Sequence, residues 1–272
     1  MSAKRWATRP GMNEISKVSS EIGEVVERSL EQIEQSLDAR IVLAMDSGLR
    51  GKGTPTLDSP HCIRFVYIHA LDWYLRLTPG ADHVQLPVSN DFTLTGWDIG
   101  RLLKTMKTGA TDETAWLRSA VIYRADADVL ARLQNLLARR WQPALEFRQE
   151  LGHAKKLFGG WGLGTNTTSS DFIAAMRAIL AARWIAEGHG PVPGNITGLC
   201  HDLNEELRNE INVLLQANAT TPKGSVVPPA PQSQVFFLSE LQRLKDVHLE
   251  ESAQTENLPF DRLYAELVRR FG

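Results

Sequence analysis

The sequence has few of the features that mark extracellular, membrane or strongly charged proteins. Only two of its 272 residues are cysteines, which excludes a disulfide framework and predicts a reducing compartment, the cytoplasm. No segment approaches the roughly 18 uninterrupted apolar residues that a membrane-spanning helix needs, so no membrane association is expected. Thirty basic residues against 32 acidic ones give a formal net charge of −2, which provides no strong attraction to nucleic acid or anionic lipid.

The apolar residues suffice for a large core and follow clear periods. They make up 43% of the chain, which at this length fits one large or two modest domains. Apolar residues at three- and four-residue steps over 13–38 predict an amphipathic helix. Residues 40–45, 62–69 and 82–88 have the composition and pattern of strands. We therefore expect an α+β fold, with a small sheet carried on helices.

The remainder of the sequence is predicted to be mainly helical. Asp126 is expected to cap one helix, and Ser169 or Ser170 a buried, Ala-rich one. Residues 218–232 are Pro-rich and are interpreted as a linker. We expect an α/β head over 1–125 and a helical region over 126–272. The helices predicted after the third strand cover 97–108 and 112–119 in the head, and 126–141, 171–188, 202–216, 238–250 and 260–271 in the helical region.

Two segments that flank the first predicted turn resemble motifs of a known family. DSGLR occupies 46–50, after the first strand, and DSPHCIRF occupies 58–65, at the start of the second. Further similar blocks follow in the family's order: VYIHALDWYL, LTGWDIGRLLK, AWLRSAVIYR, LAARWI and PFDRLYAELV. The chain is similar to the predicted nucleotidyltransferases of the DNA polymerase β superfamily, the group that includes the RNA-ligase-associated polymerases. The resemblance covers most of the chain and implies that family's α/β head, followed by helices.

The resemblance also implies a type of chemistry. In the family, Glu-Ser-Gly-Ser-Arg is followed by a strand that reads Asp-Ser-Asp-Tyr-Asp-Val-Arg-Phe. The Gly-Ser turn binds triphosphate oxygens through backbone N–H groups and a hydroxyl. Two aspartates at i and i+2 of one strand point the same way. With a third carboxylate from a neighbouring strand they hold two Mg²⁺ ions for phosphoryl transfer.

Carried over residue by residue, that catalytic site is largely missing. The family's serine falls at Leu49, its two strand aspartates at Pro60 and Cys62, and its third acidic residue at Gln85. Proline has no side-chain donor, a thiol suits hard Mg²⁺ poorly, and Gln85 offers only a neutral carbonyl. We therefore expect no catalytic residue, no metal ligand and no cofactor at these positions.

Four residues of the same segments are candidates for nucleotide binding. Gly48 and Arg50 match the family's phosphate turn, Asp58 precedes the catalytic pair, and Arg64 matches an arginine that the family keeps. Arg118 matches another. Each also has a simpler interpretation: a tight turn for Gly48, a surface salt bridge for Arg50, and a strand-to-helix hydrogen bond for Arg64 or Arg118.

Three functional hypotheses remain open on the sequence. The first is a degenerate nucleotidyltransferase that acts by binding, as a regulatory subunit with a protein partner. The N-terminal helix could contact that partner or pack on the protein's own sheet, the second being favoured. The second hypothesis is an active enzyme with Mg²⁺ and non-standard ligands drawn from Asp46, Asp58, Asp72 and Asp82. The third is a sensor that binds nucleotide or RNA without turnover.

Other short motifs predict no function. His61–Cys62 and Cys200–His201 could suggest zinc, but strand neighbours point to opposite faces, and buried structural cysteines are the preferred interpretation. GGWGLG, within 158–170, has neither the preceding strand nor the following Gly-Lys-Ser or Gly-Lys-Thr of a phosphate-binding loop.

Overall fold

One mixed sheet organises the N-terminal part of the protein. The computed structural model describes residues 20–78, 80–89, 91–158, 167–226, 231–251 and 259–272. The strand order is β3-β4-β2-β1-β5; β2 and β4 are parallel, and the other neighbouring pairs are antiparallel. The predicted α+β class is confirmed. The strands are β1 (Ala39–Asp46), β2 (His61–His69), β3 (His83–Ser89), β4 (Phe92–Asp98) and β5 (Ile122–Ala125).

Helices cover both faces of the sheet and form the rest of the described chain. A 3₁₀ turn, Ala115–Arg118, precedes β5. None of the described helices is long and apolar enough to cross a membrane. The helices are α1 (Ser20–Leu37), α2 (Leu71–Tyr74), α3 (Ile99–Thr108), α4 (Thr111–Thr114), α5 (Ala127–Arg140), α6 (Pro143–Phe158), α7 (Ser169–Ala186), α8 (Ile196–Leu199), α9 (Glu205–Thr220), α10 (Pro231–Leu244) and α11 (Phe260–Phe271).

Helix α1 packs on the protein's own sheet, as the favoured interpretation expected. Its apolar stripe, Val26, Leu30 and Ile33, is buried against residues of β1, β2 and β4. Residues 13–19 of the predicted helix lie outside the described residues. The opposite face of the sheet is covered by α3, α5 and the C-terminal helix α11, so α1 and α11 pack on opposite faces.

Two strands escaped prediction. Trp97 was assigned to a helix but lies in β4, and α3 starts only at Ile99, where Asp98 caps it by accepting a hydrogen bond from Gly100 N at 2.7 Å. Strand β5 has only four residues, too few for a clear alternation. Both strands depend on pairing with neighbours already in the sheet.

Helix α7 is the centre of the helical part. Its predicted burial is confirmed, because it forms one core with α6, α9 and α10. The predicted caps at Ser169 or Ser170 are wrong: Thr168 accepts the hydrogen bond from Asp171 N at 3.1 Å. The cap at Asp126 is confirmed, since its carboxylate accepts from Asp128 N and Val129 N.

The segment interpreted as a linker is shorter than predicted and partly fixed. Asn218 belongs to α9, is buried, and donates to the carbonyl oxygens of Thr54 and Pro55. Lys223 N donates to Asp58 Oδ1 at 2.8 Å. Residues 231–232 already belong to α10, with proline at the first helical position, where its missing N–H costs nothing. Residues 227–230 and most of the glycine-rich loop (159–166) lie outside the described residues.

Candidate ligand-binding cleft

The turn after β1 is held together by Asp46. This buried carboxylate accepts hydrogen bonds through Oδ1 from Gly48 N at 2.8 Å and Gly51 N at 3.2 Å. Ser47 joins the turn to β2, since its backbone N and its Oγ both donate to Cys62 O. Asp46 therefore shapes the turn and offers no free oxygen pair for a metal ion.

The candidate binding residues divide into two groups. Gly48 and Arg64 both line a cavity of about 140 Å³ beside the turn. Arg50 instead donates twice to Ser59 O, at 3.2 and 2.8 Å, and so fixes the loop between β1 and β2. Asp58 is exposed and accepts from Lys223 N, a hydrogen bond that keeps the pKa of Asp58 below its usual range. The structure thus brings Gly48 and Arg64 together, whereas Arg50 and Asp58 have structural contacts.

Cys62 lies directly against the glycine turn. A Cβ added to Gly48 would be 3.1 Å from Cys62 Cβ and 3.2 Å from its Sγ. Pro60 is exposed just before β2, and Leu49 lines a second cavity next to the first. Cys62 shares a strand face with Arg64, since residues at i and i+2 of a strand point the same way, and Pro60 directly precedes the strand; neither position carries a carboxylate.

Gln85 is farther from this point than the sequence alignment implied. It pairs with Thr95 of β4, and β4 separates its strand from β2. Two strand spacings amount to roughly 10 Å. The residues directly opposite Cys62 and Arg64 are Thr93 and Thr95, and neither supplies an acid.

The remaining carboxylates of the sequence-based alternative do not converge here. Asp72 follows the far end of β2, ten positions after Cys62. Asp82 is also at that far end, because its carbonyl accepts from Asp98 N and its carboxylate pairs with Arg101 at 2.9 Å. Among the described residues, no three His, Cys, Asp or Glu side chains meet near Gly48. The donors at the turn therefore do not fit the two Mg²⁺ ions of the family's chemistry.

The cavity beside the turn opens toward a larger one of about 440 Å³, which lies between the loop after β1, the 3₁₀ turn, and helices α6 and α7. The two cavities share Lys52, Ala115, Arg177 and Gly194, and we call them together the cleft. It is lined by three acids, Asp46, Glu146 and Glu150, and by four cationic side chains, Lys52, Arg64, Arg118 and Arg177.

Two of these cations are paired with acids of α6. Arg118 donates to Glu146 Oε1 at 2.7 Å and to Val192 O at 3.1 Å. Arg177 is 3.6 Å from Glu150 Oε1, and its Nε has no hydrogen-bond partner. Burial raises the pKa of Glu150. Arg118 is thus a structural link, while Arg177 lines the cleft with one buried N–H group left unpaired.

Arg64 is held at the side of the cleft by its surroundings. Its guanidinium carbon lies 5.1 Å from the centre of the Trp97 ring, and Nη1 donates to Glu113 O at 3.2 Å. Such a cation–π contact orients the plane of the guanidinium. This hydrogen bond uses one of the five N–H donors of the guanidinium, so Arg64 can also bind an anion.

Substitution of Asp46 tests its role in the turn. D46A is expected to lower the free energy of unfolding by about 2 kcal/mol, because the buried N–H of Gly51 and the half-buried N–H of Gly48 lose their acceptor. D46N is the matched control: its amide oxygen still accepts from Gly48 and Gly51, so a smaller loss is expected. Urea unfolding followed by circular dichroism measures both, and equal losses would contradict a hydrogen-bonding role.

The stability difference between the wild type and D46N is also expected to depend on pH. Burial raises the pKa of Asp46 above 3.8, so the folded state retains its proton to a higher pH than the unfolded chain. This contribution to stability is complete below the unfolded pKa and is lost as the pH rises through the folded pKa. The stability of the wild type relative to D46N should therefore increase as the pH is lowered from 7 toward 4.

Comparison with known proteins identifies the family of this chain. The chain matches the model of the RNA repair pathway DNA polymerase beta family over residues 22–266. It belongs to that family. It is 25% identical over 232 residues to YcgL of Bacillus subtilis (strain 168), which covers 84% of this chain and 89% of that protein. A solved nucleotidyltransferase-like protein from Exiguobacterium sibiricum 255-15 aligns with 13% identity and a TM-score of 0.30, covering 82% of this chain and 74% of the other.

Membership of the RNA repair pathway DNA polymerase beta family confirms the resemblance inferred from the sequence motifs. The match includes the sheet as well as the helices that close the cleft. Sequence reasoning missed the contributions of Lys52, Glu150 and Arg177 to the cleft. One signal was available: Arg177 interrupts the apolar run of α7, and a cation on a buried face needs a partner or a ligand.

Proposed function

We propose that this protein acts by binding a phosphate-bearing nucleotide or RNA end in the cleft, without metal-dependent nucleotidyl transfer. It would then be a binding or regulatory subunit, with a protein partner, in place of a transferase. Its free cysteines, Cys62 and Cys200, favour the cytoplasm as its compartment. The observation that carries the proposal is the replacement of the family's metal-binding positions by Pro60 and Cys62 beside a cation-lined cleft.

The absence of oxygen donors argues against turnover. Two-metal phosphoryl transfer needs carboxylates that bridge or flank both ions. Cys62 occupies the position nearest the turn, and a thiol selects softer metals than Mg²⁺. The carboxylate of Asp46 accepts hydrogen bonds from the backbone of the turn. Without the ions, the charge that develops on the transferred phosphoryl group has no sufficient compensation.

The cations support anion binding in the absence of metal. Lys52, Arg64 and Arg177 all line the smaller cavity, so a phosphate there would contact side chains from the turn, from β2 and from α7. Guanidinium groups bind phosphate with two parallel hydrogen bonds. The volume of the larger cavity, about 440 Å³, suits a nucleoside-sized group.

Titration calorimetry with ATP, GTP, CTP and UTP, each with Mg²⁺ and with EDTA, tests the proposal. We expect at least one nucleotide to bind equally well under both conditions. R64Q should weaken that binding about tenfold, the effect of one charge-assisted hydrogen bond. R76Q is the matched control, because Arg76 is exposed beyond α2 at the far end of β2, and it should leave binding unchanged.

A transfer assay separates binding from catalysis. Incubation of the protein with α-³²P-labelled nucleotides, an RNA acceptor and Mg²⁺ or Mn²⁺ should give no labelled product. Metal-dependent labelling that persists in the purified protein would contradict the proposal and favour an active transferase with unusual ligands. Failure of all four nucleotides and of an RNA oligonucleotide to bind would also contradict it.

A further inference from the structure

A second group of polar side chains lies in the helical region, away from the cleft. Glu187 is the C-cap residue of α7, and His189 follows it between two glycines with positive φ angles of 76° and 95°. Asp202 lies in the turn before α9. The described residues contain one set of three His, Cys, Asp or Glu side chains able to share a metal ion, and it is this one. We call Glu187, His189 and Asp202 the triad.

Two separations in the triad match a tetrahedral metal centre, and all three ligand atoms lie within 4.8 Å of one another. His189 Nε2 lies 3.4 Å from Glu187 Oε2 and 3.3 Å from Asp202 Oδ2. Zinc binds histidine nitrogen and carboxylate oxygen at about 2.0–2.2 Å, and at a tetrahedral angle two such ligands are roughly 3.3–3.5 Å apart. From this agreement we propose that the triad is a Zn²⁺ site, with a water molecule as the fourth ligand.

Neighbouring groups orient the carboxylates toward that point. His201 Nδ1 is 2.8 Å from Asp202 Oδ1, the oxygen that does not face His189. Arg183 Nε donates to Glu187 Oε1 at 2.9 Å, again the oxygen turned away from His189. Each acid is therefore held on one oxygen while its other oxygen faces the imidazole. Outer contacts of this kind are typical of metal centres.

The position of the triad also favours a cation. The carbonyl end of α7 carries the negative pole of the helix dipole. Arg183, Arg243 and Arg208 lie nearby and balance the three carboxylates Glu187, Asp202 and Glu240, so the helix end supplies the attraction for a cation. The side chains of the triad are 29–35% exposed, so an ion can enter from solvent.

The donor types select zinc over the ions of the family's chemistry. An imidazole nitrogen is a good ligand for Zn²⁺ and a poor one for Mg²⁺ or Ca²⁺, which prefer oxygen. The bound ion would join the end of α7 to the turn before α9, and so stabilise this corner of the helical core. This inference is independent of the proposed function, because no residue of the triad lines the cleft.

The simpler alternative is a protonated His189 that forms two ion pairs. It predicts no stoichiometric metal binding, so the two cases differ in a direct measurement. Full-length, untagged protein is dialysed against EDTA and then against Zn²⁺, and the bound zinc is counted by mass spectrometry. We expect one zinc per chain, a rise in Tm on zinc addition, and tetrahedral d–d absorption bands when Co²⁺ replaces Zn²⁺.

Variants of three histidines make the test specific. H189Q should weaken Zn²⁺ binding by more than about 100-fold, and H201Q, which removes an outer contact, by about 10- to 100-fold. H248Q is the control, since His248 is exposed and contacts only the carbonyl of Asp246. No zinc on the wild type, equal binding by H189Q, or an equal loss in H248Q would overturn the proposal; circular dichroism confirms that each variant is folded.

Discussion

E146A is expected to lower the free energy of unfolding by about 3–5 kcal/mol, because it leaves a buried guanidinium without its partner. Only 16% of the Arg118 side chain and 6% of the Glu146 side chain are exposed. The second oxygen of Glu146 accepts from Trp141 Nε1, so the substitution also removes the acceptor of a partly buried indole. The pair joins the 3₁₀ turn before β5 to helix α6, and its loss should loosen one wall of the cleft.

Two further substitutions isolate the buried charge. The double variant R118M/E146L removes both charges and should be less destabilised than E146A, because no uncompensated ion remains. E251A removes an acid from the exposed Arg148–Glu251 pair, whose side chains are 56% and 79% exposed, and should change stability by less than about 1 kcal/mol. Chemical denaturation of all three at one pH gives the comparison. A loss in E146A no larger than in E251A would contradict the role of the pair.

Local periodicity predicted the parts of the fold that depend on local pattern. The spacing of apolar residues predicted two inner strands of the sheet, β1 and β2. Apolar residues at three- to four-residue steps predicted helices α1 and α7. Strand β4 does not, because Phe92–Asp98 carries glycine and two threonines among its apolar residues. It forms a strand since both its edges pair with neighbours. The error at Gln85 has the same origin: without β4, β3 was the natural neighbour of β2.

The cleft was only half predictable for a similar reason. Motif similarity placed Gly48 and Arg64 near each other because they flank one turn. Lys52 and Arg177 are 125 positions apart in the sequence, and only the folded arrangement of α7 beside the loop after β1 brings them to one cavity. A site that is assembled by such packing leaves no periodic pattern in the sequence from which it could be predicted.

The proposed zinc ligands could not be found from sequence motifs either. Sequence inspection considered Cys200 and His201 as a pair, but Cys200 is buried in the helical core. Burial raises the pKa of its thiol to about 12, which disfavours the thiolate that a metal needs. His201 instead contacts Asp202. The ligands that converge are the oxygen and nitrogen donors on either side of α8, which carry no recognisable motif.

G194A is expected to be the most damaging single methyl addition in the described chain. A Cβ at position 194 would lie 1.5 Å from Arg118 O and 2.4 Å from Arg118 C, a covalent rather than a contact distance. The backbone there cannot easily yield, since Arg118 is fixed by Glu146 and by Val192 O. The loss should exceed about 3 kcal/mol, the upper range for overpacking. Because Gly194 lines both cavities, ligand binding should fall with it.

The matched control is the same substitution in the adjacent helix. Gly152 lies within α6, and a Cβ there meets nothing within 4 Å, so G152A should stabilise the protein by up to about 1 kcal/mol through helix propensity. If G194A lowers the free energy of unfolding and G152A raises it, in both thermal and chemical unfolding, the effect at 194 is steric and local to the cleft wall. If G194A instead unfolds within about 1 kcal/mol of the wild type, the close approach of these two segments is not required, and the cleft can open along that line without loss of the fold.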